Sequence, residues 1–196
     1  MMLQNKAIKD YRKLFCLLKD GTVFTVIDTE TTGLSSIESR IVEVAAIKFS
    51  KDGILDKFST LVNPEQKIPF QCIQIHHITD QMVQSAPKIK QILPELLKFI
   101  EGSVLIGHNI NFDLRFLNAE LERNGFFQLK NSFIDTLSLS RWSLPEMQKY
   151  NQSILAEYFN IKIKNAHRAE DDAYVCGQIF LNCIKVSAER QKIRID

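Results

Sequence analysis

The spacing of apolar positions changes along the chain, and each change marks an element. Ala7, Ile8, Tyr11, Leu14, Phe15 and Leu18 recur at helical intervals. A short amphipathic helix is therefore predicted over residues 4–19, stopped by Asp20-Gly21. Residues 23–27 form a continuous β-branched and aromatic run, which reads as a buried strand. A second apolar run over 41–49 meets a third over 54–62 across Lys51-Asp52-Gly53, a hairpin signal. These three strands make an antiparallel meander that Asn63-Pro64 ends. After a mixed stretch over 70–84, with Thr79 or Asp80 as N-cap, helical spacing returns at Ile89, Ile92, Leu93, Leu96, Leu97 and Ile100, where Pro94 bends or restarts the helix. A short strand over 103–107 leads into a helix over 108–125. Its stripe is Phe112, Phe116, Leu117 and Leu121, and Gly125 closes it. Phe133-Ile134 is a last short strand running into another helix after Asp135-Thr136. A short helix follows over 153–159, and a long one over 168–190 turns Ala169, Ala173, Cys176, Ile179, Phe180 and Cys183 inward. A meander followed by alternating helix and strand predicts an α/β domain with one mixed sheet flanked by helices.

Composition narrows the class of protein. At 196 residues, with 45% hydrophobic and 24% charged residues, the chain suits one globular domain with a real core. A net charge of +2 permits a nucleic-acid partner without arguing for one. No apolar run approaches the roughly 20 residues that cross a bilayer, so no membrane association is expected. The polar first residues, with Lys6, Lys9, Arg12 and Lys13, lack the apolar centre of a signal peptide. Cys16, Cys72, Cys176 and Cys183 are scattered without a CxxC pair, which indicates neither a zinc site nor a disulfide framework. A reduced, cytoplasmic setting is expected.

Chemistry enters at the end of the first strand, where Asp28 and Glu30 stand two positions apart. Such side chains share a strand face about 7 Å apart. Either they are solvated acids at a strand end, or they repel until a cation sits between them, and oxygen ligands of this kind suit Mg²⁺ or Mn²⁺. Asp113, with Phe116 and Leu117 one turn on, shares the buried stripe of its helix. A carboxylate there needs a partner, although an acid favoured by a helix N-terminus is the plainer explanation. At the start of the last helix Asp172 falls in register with Ala169, Ala173 and Cys176, whereas Asp171 goes with Gln178 and Asn182. His167 precedes that helix, so its ring can swing over the same point. Of His76-His77, at least one caps a helix or packs a loop.

Taken in order, Asp28-Thr29-Glu30-Thr31-Thr32-Gly33, then His108-Asn109-xx-Phe112-Asp113, then His167-Arg168-Ala169-xx-Asp172 resemble the three motifs of the DEDDh 3′–5′ exonucleases. The resemblance is to the DnaQ-like group, which includes the exonuclease domain of the epsilon subunit of bacterial DNA polymerase III, and it spans residues 22–188. It implies a ribonuclease-H-like fold with a five-stranded mixed sheet. It implies hydrolysis of phosphodiester bonds from 3′ ends of DNA, single-stranded by expectation, with release of 5′-mononucleotides in proofreading or repair. Two Mg²⁺ or Mn²⁺ ions would be held by Asp28, Glu30, Asp113 and Asp172, with His167 as general base. His76, Gln71 and Asn109, with backbone groups of Thr29, Thr31 and Thr32, would meet the substrate. The expected layout is an N-terminal helix over 1–20, an exonuclease domain over 21–190 and a tail over 191–196. A DNA polymerase partner is compatible with this. An RNA-trimming exonuclease shares every motif, and a non-catalytic nucleic-acid-binding domain would keep the fold; these are the alternatives.

Overall fold

The computed structural model describes residues 6–163 and 167–191. The meander forms as β1 (Phe24–Thr31), β2 (Ile41–Ser50) and β3 (Gly53–Leu61), paired antiparallel in sequence. β1 runs on past its apolar part, so Asp28 and Glu30 lie within the strand and not beyond it. β4 (Val104–Gly107) and β5 (Phe133–Asp135) add in parallel, giving five strands in the order β3-β2-β1-β4-β5 with β1 at the centre.

The helices are α1 (Leu14–Lys19), α2 (Phe70–His76), α3 (Asp80–Val83), α4 (Ile89–Ile100), α5 (Asn111–Arg123), α6 (Thr136–Ser143), α7 (Gln152–Tyr158) and α8 (Ala169–Arg190). Strand alternation divides them into two layers. Phe24 and Val26 pack with Phe49 and with residues of α6, α7 and α8; Ile27 packs on the opposite side with α4 and α5. Phe24, Phe49 and Phe180 form one ring cluster, with centroids 5.2–5.9 Å apart. α8 can lie close to β1 because its contact residues are small. A Cβ on Gly177 would stand 3.2 Å from Val26 Cγ2, and Ala169 and Ala173 are fully buried.

Two local expectations change. The helix expected over 4–19 shrinks to α1 and a preceding 3₁₀ turn (Tyr11–Lys13). The residues before it lie extended along β5, with Ile8 N–H donating to the Phe133 carbonyl (2.8 Å) and Phe133 N–H to the Lys6 carbonyl (3.0 Å). β5 is a sheet edge with unpaired backbone groups, and satisfying them outweighs one more helical turn. Residues 1–5 and 192–196, including most of the expected tail, lie outside the described residues. α4 runs unbroken through Pro94, because burial of Ile92, Leu93, Leu96 and Ile100 outweighs the one backbone bond that proline omits. Of the two N-cap candidates, Thr79 takes the role by accepting from Met82 N–H, and Asp80 instead accepts from Ile68 N–H. Among the described residues, no helix is long and apolar enough to cross a membrane.

α1 and the turn before it pack on the core: Leu14 is fully buried in the α8 layer, and Tyr11 of the turn packs its ring 5.7 Å from that of Trp142. Leu14→Ala is expected to lower the unfolding free energy by about 2–5 kcal/mol. Ile54→Ala, on the exposed face of β3, should change it by less than about 0.5 kcal/mol. Urea unfolding monitored by circular dichroism measures both.

Candidate active site

The site arises from unequal strand lengths. On one edge β1 pairs with β2 as far as Thr31, but on the other it pairs with β4 only through Phe24–Val26. From Ile27 onward that second edge is free of ladder bonds, and the chain leaving β4 turns into α5 beside it. Asn109 makes the turn in the left-handed region (φ 61°), with its N–H donating to Asp135 Oδ1. Gly107 is required there, since a Cβ would meet Ile110 Cγ1 at 2.9 Å and the Ile27 carbonyl at 3.2 Å. The first turn of α5 thereby delivers Asp113 to the open edge. It is 5% exposed, and its Oδ1 accepts from Thr29 Oγ1 at 2.7 Å.

Asp28 and Glu30 alternate with Thr29 and point to the α8 side. There the close seat of α8 brings in Asp172. Ligand oxygens of Asp28, Glu30 and Asp172 lie within 4.8 Å of one another. Asp172 Oδ2 accepts from His167 N–H (3.0 Å), and the Asp172 carbonyl accepts from Gln152 Nε2 (2.7 Å). His167 is exposed and takes a left-handed backbone (φ 62°) immediately before the helix. Asp171 instead lines a cleft with Tyr174, Gln178 and Asn182, on the outer side of α8. The structure thus brings Asp28, Glu30, Asp172 and, from across the sheet edge, Asp113 to one place.

Burial and mutual repulsion resist ionisation here. Burial, then the charges of Asp113 and Glu30, hold the Asp28 carboxyl well above its usual range. Burial, then Asp172 and Glu43, push Glu30 up to about 8. Asp113 rises to about 7, mainly by burial and against the pull of its Thr29 hydrogen bond. Asp172 is raised too, by burial, against the nearby His167. Partly buried carboxylates this close can all ionise when a hard divalent cation offsets their charge, and this donor set fits one.

The remaining expected site residues are arranged differently. His76 is 2% exposed, and its Nδ1 accepts from Ile78 N–H. Burial lowers its pKa. Gln71 is exposed on α2 beside the exposed Phe70. The hydroxyls of Thr29 and Thr31 are committed to Asp113 and to the Gly33 carbonyl, which leaves backbone groups for other contacts.

One carboxylate was not anticipated. Glu43 stands directly across from Glu30 in the β1–β2 register and is 3% exposed. Arg168 binds it through Nε and through Nη2 at 2.6 Å, and Ala169 N–H donates to it at 3.0 Å. A signal existed, because Glu43 is a lone acid inside the apolar run of β2.

Comparison with known proteins agrees with this geometry. A family model described as Exonuclease matches residues 25–180. The chain belongs to the exonuclease family. The exonuclease is 41% identical over 173 residues to a DNA polymerase III subunit epsilon of Treponema pallidum, covering 87% of this chain and 80% of that one. It is 38% identical over 162 residues to a PolC-type DNA polymerase III of Caldanaerobacter subterraneus, of which it spans 12%. Among solved structures, it resembles exonuclease X in complex with 5′ overhanging duplex DNA, with a TM-score of 0.68, 27% identity, and coverage of 84% of this chain and 93% of that one. E. coli exonuclease I with a dA16 oligonucleotide shares the fold, with a TM-score of 0.75 at 18% identity over 87% of this chain and 42% of that one. The DnaQ-like resemblance, the ribonuclease-H-like fold and the assignment as a 3′–5′ exonuclease are therefore borne out.

The raised carboxyls make stability depend on pH. Unfolded, Glu30 releases its proton near 4.5; folded and metal-free, near 8. Between those values the folded state holds a proton that the unfolded state has lost, so raising the pH through this window destabilises the fold. The Tm of metal-free exonuclease should fall from about pH 5 to about pH 8, and added Mn²⁺ should raise Tm more at the upper end. Glu30→Gln should flatten both trends in differential scanning fluorimetry.

Proposed function

We propose that the chain removes nucleotides from the 3′ ends of DNA, acting on single strands and releasing 5′-mononucleotides, with two Mg²⁺ or Mn²⁺ ions bound. The observation that carries this reading is the convergence of acids from β1, α5 and α8 at the open end of β1, beside His167. Asp28, Glu30, Asp113 and Asp172 would hold the ions. When bound, such ions offset charge on the scissile phosphate and on the attacking and leaving oxygens. His167 acts as general base: it is exposed immediately before α8, where an imidazole can take a proton from the attacking water. The Asp172 carboxylate, fixed to the His167 backbone, keeps the start of α8 and the acid cluster in one frame.

Substrate groups are assigned around this centre. By the family resemblance, His76, Gln71 and Asn109 are assigned to the terminal nucleotide, together with backbone groups of Thr29 and Thr31 at the strand end. DNA as substrate is supported by the relatives: the exonuclease X structure holds duplex DNA with a 5′ overhang, and that of exonuclease I holds dA16. Similarity to a protein named as an epsilon subunit supports a DNA polymerase as partner. Residues 21–190 make up the catalytic unit, with the N-terminal segment packed onto it.

The test is cleavage of 5′-labelled single-stranded DNA and RNA oligonucleotides with Mn²⁺. DNA should shorten stepwise from the 3′ end, and faster cleavage of RNA would overturn the substrate assignment. Asp28→Ala and Asp172→Ala should abolish cleavage, whereas Asp171→Ala should stay near the wild-type rate. His167→Ala should lower kcat by about 10²–10⁴ with Mn²⁺ binding retained in calorimetry.

A further inference from the structure

Glu43 is a fifth carboxylate at the edge of the acid cluster. As the cross-strand neighbour of Glu30 it shares that residue's face of the sheet, and its charge is felt at Asp28, Glu30 and Asp172. Its oxygens are nevertheless filled. Arg168 Nε lies 3.1 and 3.2 Å from the two of them, Nη2 lies 2.6 Å from Oε1, and Ala169 N–H donates to Oε2. This is the two-toothed grip for which a guanidinium is shaped. Arg168 is also the N-cap residue of α8, and its side chain caps nothing on its own helix. The Glu43 carboxylate does this from the neighbouring strand, accepting from the first helical amide at the positive end of α8. His167, one residue earlier, is in the left-handed backbone region, and Asp172 binds its N–H. The Glu43 pair therefore fixes the residue between the proposed base and the helix that carries the proposed metal ligand.

We propose that Arg168 is a positioning residue that withholds Glu43 from the divalent ions and sets the start of α8, so that His167 and Asp172 meet the site in register. This rests on the two-metal reading above. Without the guanidinium, Glu43 becomes an uncompensated carboxylate beside Glu30 and a competing metal ligand. With a lysine there, the charge survives but the two-point grip does not.

The experiment compares wild type, Arg168→Met, Arg168→Lys and the double variant Glu43→Gln with Arg168→Met. Mn²⁺ is titrated calorimetrically without substrate, and kcat and KM are measured on a single-stranded DNA oligonucleotide. Arg168→Met should bind additional Mn²⁺, and its kcat should fall about 10–100-fold, as is typical for residues that orient metal ligands, with KM within about twofold. The double variant should restore the wild-type Mn²⁺ stoichiometry, because the competing carboxylate is gone. Arg168→Lys should keep that stoichiometry with a lowered kcat. Wild-type Mn²⁺ binding and kcat in Arg168→Met would overturn the inference, as would a double variant with the same excess Mn²⁺. If Arg168→Met does not fold, Arg168→Lys decides: lowered kcat at unchanged KM and Mn²⁺ stoichiometry supports the inference, and unchanged kcat overturns it. A wild-type protein that neither binds Mn²⁺ nor cleaves DNA would overturn the two-metal reading itself. A wild type that does both, matched by Arg168→Met, would overturn only the role of Arg168.

Discussion

Mutual repulsion among buried carboxylates at the end of β1 is the constraint to which the surrounding structure answers. Asp28, Glu30 and Asp172 are gathered in a partly buried place, and burial leads the causes that raise each of their pKa values. Left alone, such groups would drift apart or stay protonated. The fold prevents the first by mounting them on regular elements packed into the core. Asp28 and Glu30 sit on the central strand, Asp113 is tied to Thr29, and Asp172 rides a 22-residue helix seated on Gly177 and alanines. A loop-borne constellation could relax; here a divalent cation would offset the charge that the fold holds together.

The same logic explains why one acid in the neighbourhood is treated differently. Glu43 meets Arg168 and a helix amide, so its charge is neutralised by protein. The other four acids have no such cation among the contacts described, beyond the distant pull of Arg168 on Glu30 and of His167 on Asp172. Within one strand pair, then, Glu43 serves architecture and Glu30, its direct neighbour, faces the site.

Much of this was legible in the sequence because it depends on local periodicity. The two-residue spacing of Asp28 and Glu30 and the helical register that separates Asp172 from Asp171 follow from backbone geometry alone. Asp113 could be placed on a buried stripe, but the reason it reaches the site could not, because that depends on β4 ending its pairing at Val26 while β1 continues. Glu43 was missed for a related reason: its closeness to Glu30 is a cross-strand fact, and its link to Arg168 joins residues 125 positions apart. The N-terminal segment misled because Ala7 and Ile8 fit a helical pattern equally well as an extended one. A vacant sheet edge decided between them.

That edge has a wider consequence. With Lys6 and Ile8 bonded to Phe133, the β5 margin is sealed by the chain itself. Among the described residues the sheet's other border, β3, is left unpaired; its exposed residues include Asp56 and Lys57, and its register with β2 slips between Lys48 and Phe49. Charges and an irregular ladder make poor templates for a foreign strand. The molecule can therefore keep a bare flank without inviting edge-to-edge pairing, whereas without residues 6–8 the β5 margin would be a second, less guarded one.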